Sequence, residues 1–191
     1  MSRIVAARAL SLVGHPALLM PATFLFSTIA NGAPTKMLQF AVVGSAFVGV
    51  SIVAYSWSQV RAGRWSHVDA SVPRERGQIN LFLMLLFFGI AGLMFGLDQP
   101  RPLVIGPAFS GALVAFGHLL RPWLKMSLHA SFAVFAALLL WPSLVGTLAV
   151  LVLAMGVAWS RLALSRHTPQ EVAVALLAGA ATGVVFNLVT S

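Results

Sequence analysis

The sequence contains no cysteine and very few charged residues. Only 8% of its 191 residues are Asp, Glu, Lys or Arg, against roughly a quarter in soluble globular proteins. The absence of cysteine excludes disulfides and thiolate metal sites. The scarcity of charge excludes a soluble globular domain, and the many apolar residues exclude a disordered chain. Only four residues are acidic, which leaves a formal net charge of +8. In such an apolar chain a basic surplus is first a topology signal, so we expect no nucleic-acid partner.

Hydrophobic residues, in contrast, make up 59% of the chain and occur in long runs. A helix needs about 20 mostly apolar residues to cross a bilayer. Seven segments approach that length, and they lie at 15–32, 38–57, 79–97, 102–120, 124–141, 143–160 and 169–189. We therefore predict one domain over residues 1–191. It is an all-α, polytopic transmembrane bundle of six to seven spans in a bacterial-type inner or cell membrane.

Proline and glycine refine two of these segments. Pro16 and Pro21 interrupt the first apolar run, which favours a retained first helix over a cleaved signal peptide. The last run carries Gly179 and Gly183 at a spacing of four. Small residues at this spacing allow helix backbones to approach closely in lipid, so this face predicts a helix–helix contact.

Counting seven spans assigns each loop to one side of the membrane. The N-terminus and the segments 58–78, 121–129 and 160–168 share a side, together with thirteen of the sixteen charged residues and all five histidines. The exceptions are Lys36, Asp98 and Arg101. The positive-inside rule explains the basic residues. It does not explain histidines and acids gathered at helix ends, where burial is costly. We therefore predict an ionisable pocket at one membrane face.

The most informative segment joins the last two spans and reads SRLALSRHTPQE over residues 160–171. Thr168, Pro169 and Glu171 have the pattern of an N-cap, a first-turn proline and the acid of a capping box. Helix capping is therefore the simpler interpretation of Glu171. A helix N-terminus also presents unpaired N–H groups, which suit an anion such as phosphate.

This segment resembles the third signature motif of the type 2 phosphatidic acid phosphatase (PAP2) superfamily. That motif is Ser-Arg, five residues, His, three residues and Asp. Ser160-Arg161, His167 and Glu171 match its spacing, with Glu in place of Asp. The short segment Ser127-Leu-His129 resembles the second motif, PSGH, and both residues are expected in the first turns of the fifth span.

The family's first motif is Lys, six residues and Arg-Pro, and the sequence does not match it. We expect Arg64, Arg74 and Arg76 to stand in for it, because arginine binds phosphate oxygens bidentately. Asp69 and Glu75 are expected to pair with these arginines or to orient them. A solvated basic loop is the alternative interpretation of this segment.

The resemblance implies a hydrolase that acts on a membrane lipid phosphate, either phosphatidyl or prenyl, without a metal or other cofactor. By the family's mechanism His167 is the nucleophile and forms a phosphohistidine, and Glu171 orients it. His129 protonates the leaving group and then activates water. The resemblance assigns phosphate binding to the remaining residues, which are Arg161, Ser127, Ser160, Arg64, Arg74 and Arg76.

Two other functions stay open from the sequence. A non-catalytic membrane protein, either a small transporter or an inactive PAP2-like member, is favoured by the unmatched first motif and the Asp-to-Glu change. The apolar middles of the helices argue against transport. A histidine-box metal enzyme needs closely spaced histidines, but the nearest two, His118 and His129, are 11 residues apart. Ten of the twelve basic residues share the pocket side, which indicates a cytoplasmic pocket.

Overall fold

The described part of the computed structural model, residues 3–68, 70 and 72–190, forms eight α-helices and no strand. This confirms the all-α prediction. The helices are α1 (Arg3–Val13), α2 (Pro16–Ala30), α3 (Thr35–Arg61), α4 (Pro73–Gly96), α5 (Arg101–Leu119), α6 (Leu128–Leu138), α7 (Leu144–Ala163) and α8 (Pro169–Thr190).

Five of these helices, α3, α4, α5, α7 and α8, are long and apolar enough to cross a membrane. Helices α1 and α2 form a bent pair with an angle of 51° and provide a sixth span if they act together. The chain is therefore an integral membrane protein.

The sequence did not predict α1 as a helix. Helix α1 ends before His15. The Nδ1 of His15 accepts a hydrogen bond from the Ala17 N–H at 3.2 Å and caps α2.

Helix α6 is shorter than the predicted span 124–141. Its 11 residues measure about 16 Å at the α-helical rise, and they cannot cross about 30 Å of hydrocarbon. The physical reason lies at its start. Residues 120–127 form turns and an extended stretch, and the Ser127 side chain caps α6 by accepting the Ala130 N–H at 3.4 Å. Residues 130–137 are all buried. His129 is therefore carried into the interior of the bundle.

Close packing of α6 on α8 confirms the predicted small-residue contact. A Cβ atom at Gly179 would overlap the backbone of Ser131, and one at Gly183 would lie 2.6 Å from the side chain of Leu138. Asn187 also donates from Nδ2 to the Leu138 carbonyl at 2.9 Å. These contacts, together with the packing of α6 on α7, fix α6 beside α8 from Ser131 to Leu138.

The α3–α4 connection folds onto the first turns of α4. The Trp65 indole donates to Gln78 Oε1 at 2.7 Å. Glu75 accepts hydrogen bonds from the backbone and hydroxyl of Ser66 at 2.9 and 3.2 Å, and from the Val72 N–H at 3.2 Å. This carboxylate therefore organises the loop backbone. Asp69, the other acid expected to orient the arginines here, lies outside the described residues.

Candidate functional site

A cavity of about 970 Å³ lies between helices α1 to α6 and the α7–α8 turn. One end is basic, and the rest of the wall is mostly apolar. We call the basic end the cationic mouth, and its residues are Arg8, His15, Arg76, Arg121, Lys125, His129, Arg161, Arg166 and His167. Residues that are far apart in the chain thus line one end of the same cavity.

His167 is held by two acceptors in the α7–α8 turn. Its Nδ1 lies 3.1 Å from Glu171 Oε2 and 3.1 Å from the Lys125 carbonyl oxygen. Because both partners can only accept, the ring proton belongs on Nδ1 and the lone pair on Nε2. Burial, and then the charges of Lys125 and Arg161, lower the pKa of His167 to about 4. Near neutral pH the ring is therefore uncharged, with Nε2 in its nucleophilic form.

Glu171 performs two tasks at once. Its Oε2 accepts the Thr168 N–H at 3.0 Å, and its own N–H donates to Thr168 Oγ1 at 3.3 Å, which completes a capping box. The same Oε2 accepts from His167 Nδ1. The capping interpretation and the orienting interpretation are thus compatible. The helix start fixes the carboxylate, and the carboxylate fixes the imidazole.

Lys125 connects the α5–α6 linker to the α7–α8 turn. Its Nζ donates to the Arg166 carbonyl at 2.7 Å, while its own carbonyl contacts His167. Partial burial lowers the pKa of Lys125, and so do the charges of Arg76, Arg161 and Arg166. The mouth therefore contains more positive charge than Glu171 neutralises, and this imbalance favours a bound polyanion.

Arg161 and Arg121 reach the mouth from two other directions. Arg161, in the last turn of α7, donates from Nη1 to the Ser11 hydroxyl of α1 at 2.8 Å. The Arg121 guanidinium lies directly against Gly77 of α4, where an added Cβ would overlap it. Only a residue without a side chain at position 77 leaves room for this arginine.

His129 and His15 form an edge-to-face pair, with ring centroids 4.9 Å apart and planes at 89°. The bend between α1 and α2 brings His15 to this position, and its capping bond to Ala17 assigns the lone pair of Nδ1. His129 also lies within electrostatic range of His167 and Arg161. The mouth therefore contains three imidazoles rather than two.

Several predicted site residues lie elsewhere. Ser127 is fully buried and its hydroxyl caps α6. Ser160 is also fully buried, and its hydroxyl donates to the Val157 carbonyl at 2.7 Å. Neither lines the cavity, because each is used by its own helix. Arg64 and Arg74 are exposed and also lie outside the cavity wall. Of the three arginines predicted to replace the first motif, Arg76 lines the cavity.

The sequence interpretation gave no role in the site to Arg121, Lys125, Arg166 or His15. One signal was available for Arg121. Pro122 follows it, and Arg-Pro ends the first motif of the PAP2 superfamily. The roles of Lys125 and His15 depend on a carbonyl contact and on a ring pair, and neither is visible in a linear motif.

No family model, curated protein or solved structure matches this chain. Among the described residues, no group of three His, Asp or Glu side chains is placed to hold a metal ion.

Proposed function

We propose that the protein is a lipid phosphatase of the PAP2 type, which hydrolyses the phosphoester or diphosphate of a membrane lipid without a metal ion. One observation carries the proposal. His167 is fixed by Glu171 and the Lys125 carbonyl in the tautomer of a nucleophile, at the edge of a cavity rich in arginine and lysine. This combination suits covalent catalysis of phosphoryl transfer.

In the first step His167 Nε2 attacks phosphorus. The N–P bond forms as the bond to the leaving oxygen breaks, and His129 donates a proton to that oxygen. A bound phosphate dianion favours the protonated form of His129 that this step requires. The product alcohol, or the lipid monophosphate in the case of a diphosphate substrate, leaves with that proton.

In the second step water attacks the phosphohistidine, and His129 accepts the proton from the water. The N–P bond breaks, inorganic phosphate leaves, and His167 regains its lone pair on Nε2. His167 Nδ1 keeps its proton throughout and donates it to Glu171, whose charge stabilises the positive charge that develops on the ring. Two modest barriers thus replace one high barrier.

The arginines and Lys125 stabilise charge on the transferring phosphoryl group. Arg76, Arg121 and Arg161 reach the mouth from α4, the end of α5 and α7, so they approach from different directions. One guanidinium group can donate two parallel hydrogen bonds to phosphate oxygens. Preorganised cations of this kind stabilise a phosphoryl transition state. They supply the positive charge that a metal ion provides in other phosphatases.

The setting favours a lipid substrate. The apolar part of the cavity runs between helices of membrane-spanning length, so a tail stays among apolar side chains while its phosphate occupies the mouth. The positive-inside rule favours a cytoplasmic mouth. Without the proposed phosphate ligands Arg76, Arg121, Lys125 and Arg161, the basic residues still divide six to two in favour of that side.

The test is phosphate release by the purified protein in EDTA, with phosphatidyl and prenyl phosphates as substrates. We expect turnover. His167→Ala should abolish it, and Arg161→Ala should reduce it by roughly 100-fold or more. Acid-quenched protein should contain a ³²P label that is lost in His167→Ala. A non-catalytic membrane protein would show no turnover on the whole panel, and that result would reject the proposal.

A further inference from the structure

The cavity extends far beyond the cationic mouth. Along α4 its wall begins at Arg76 and continues through Ile79, Leu83 and Phe87 to Met94. At 1.5 Å per residue this stripe is about 27 Å long. The cavity therefore runs along nearly the full membrane-spanning length of α4.

Helix α3 supplies a second stripe along the same channel. Phe40, Gly44, Val48, Ile52 and Ser56 line it at a spacing of four residues, which is one face of a helix. Elsewhere α3 is largely exposed, with only 6% of its apolar window buried. The channel wall on this side is thus a single helix, and a tail can enter laterally beside it.

The length of the channel distinguishes between two kinds of lipid. The hydrocarbon core of a bilayer is about 30 Å thick, so the tails of one leaflet extend about 15 Å from its surface. A diacyl lipid would fill only the half of the channel next to the mouth. A channel of about 27 Å fits one tail that is longer than a leaflet.

We propose that this channel encloses a single long hydrocarbon tail, so that the substrate of the cationic mouth is a long-chain polyprenyl phosphate rather than a diacyl phosphatidate. The proposal rests on the proposed phosphatase function for the chemistry at the mouth. The length and apolar lining of the channel support the choice of tail independently.

Gly44 provides a direct test. It belongs to the α3 stripe, about 18 Å along the helix from Ser56, and a Cβ atom added there meets no heavy atom within 4 Å. Gly44→Phe therefore adds a side chain that begins in open space on the channel wall. Gly89→Phe on α4 is the matched control, because Gly89 is exposed, also has open space before its Cβ, and does not line the cavity.

The experiment compares kcat/KM for undecaprenyl phosphate, geranyl phosphate and dioleoyl phosphatidate in the wild-type protein and both variants. A tenfold loss in kcat/KM corresponds to about 1.4 kcal/mol, which lies within the usual cost of overpacking an apolar site. We expect Gly44→Phe to lose roughly tenfold or more on undecaprenyl phosphate and to retain wild-type activity on geranyl phosphate. Gly89→Phe should match the wild type on all three substrates. Gly44→Ala should show a smaller loss than Gly44→Phe.

Binding of radiolabelled undecaprenol, which lacks a phosphate, is measured in parallel on the same detergent-purified proteins. Retention by the wild type and Gly89→Phe, but not by Gly44→Phe, would support the channel even if no phosphate were released. That combination would reject the phosphatase and keep the tail site. Preference for dioleoyl phosphatidate with no effect of Gly44→Phe would overturn the tail site and keep the phosphatase. Equal losses on all substrates, or equal retention of undecaprenol by both variants, would also overturn it.

Discussion

Gly77→Ala should disable the site while leaving the fold intact. The added Cβ would overlap Arg121 Nη1 and lie 3.2 Å from its Cζ. The obstructing atoms are the far end of a flexible side chain rather than backbone, so the guanidinium moves and α4 stays in place. Replacing glycine by alanine inside a helix also favours the helix by up to about 1 kcal/mol. The substitution therefore displaces one cation from the mouth without a cost in stability.

The magnitude follows from the type of contact that is lost. A hydrogen bond to a charged partner contributes about 1.5–3 kcal/mol, and 1.36 kcal/mol is a factor of ten in rate. If Arg121 binds a phosphate oxygen, Gly77→Ala should lower kcat/KM by roughly 10- to 100-fold. The midpoint of thermal unfolding in detergent should stay constant or rise.

The assay combines phosphate release with thermal unfolding of the same preparation. Gly92→Ala is the matched control, because Gly92 lies on α4 with open space before its Cβ. Arg121→Gln should reproduce the loss, and adding Gly77→Ala to it should cause little further loss. An unchanged kcat/KM in Gly77→Ala would refute the role of Arg121. A loss of activity matched by a lower unfolding midpoint would refute local displacement as the cause.

Three further predictions follow from the site and the core. Glu171→Gln keeps an acceptor for the Thr168 N–H but removes the charge beside His167. Phosphate release should fall by roughly 100-fold with little change in the unfolding temperature. If the unfolding temperature falls together with the activity, Glu171 only caps α8. The pKa of His167 is lowered to about 4, so a ¹⁵N-histidine NMR titration, assigned with His167→Gln, should show this ring neutral at pH 5.5. Because the unfolded ring takes up a proton near pH 6.5 and the folded ring only near 4, this histidine should lower the free energy of unfolding as the pH falls between those values; protonation near 6.5 in the folded protein would contradict the burial argument. Gly179→Ala forces a Cβ atom into the Ser131 backbone and should lower the free energy of unfolding by about 1–3 kcal/mol. Gly49→Ala is the control, because a Cβ atom there meets open space, and it should not destabilise the fold. Equal stability of the two variants would contradict the close α6–α8 contact.

Hydropathy was sufficient to predict most of the helices. The apolar runs at 38–57, 79–97, 102–120, 143–160 and 169–189 correspond to α3, α4, α5, α7 and α8. The burial of a helix in lipid depends on its length and apolar content, and both are properties of a continuous segment. The spacing of Gly179 and Gly183 likewise predicted a close contact, because the small residues on one helix face belong to one continuous segment of the sequence.

The failures occurred where a segment depends on its neighbours. Helix α6 is apolar over the predicted span, but its start is set by the Ser127 cap and by the non-helical linker 120–127 that precedes it. Helix α1 was missed because its amphipathic sequence includes two arginines and lies against α7. Hydropathy does not register a helix that is stabilised by packing on another helix.

The candidate site was likewise predicted from the sequence only in part. Its spacing along the chain, from Arg161 through His167 to Glu171, is local, and the sequence by itself determined it because a helix end and the next helix start hold these residues in register. Only the tertiary structure decided that Arg76, Arg121 and Lys125 line one cavity with His167 while Arg64 and Arg74 do not. Which cations meet at the mouth depends on how α4 and the α5–α6 linker pack against the α7–α8 turn. Linear spacing carries no information about contacts between residues this far apart in the chain.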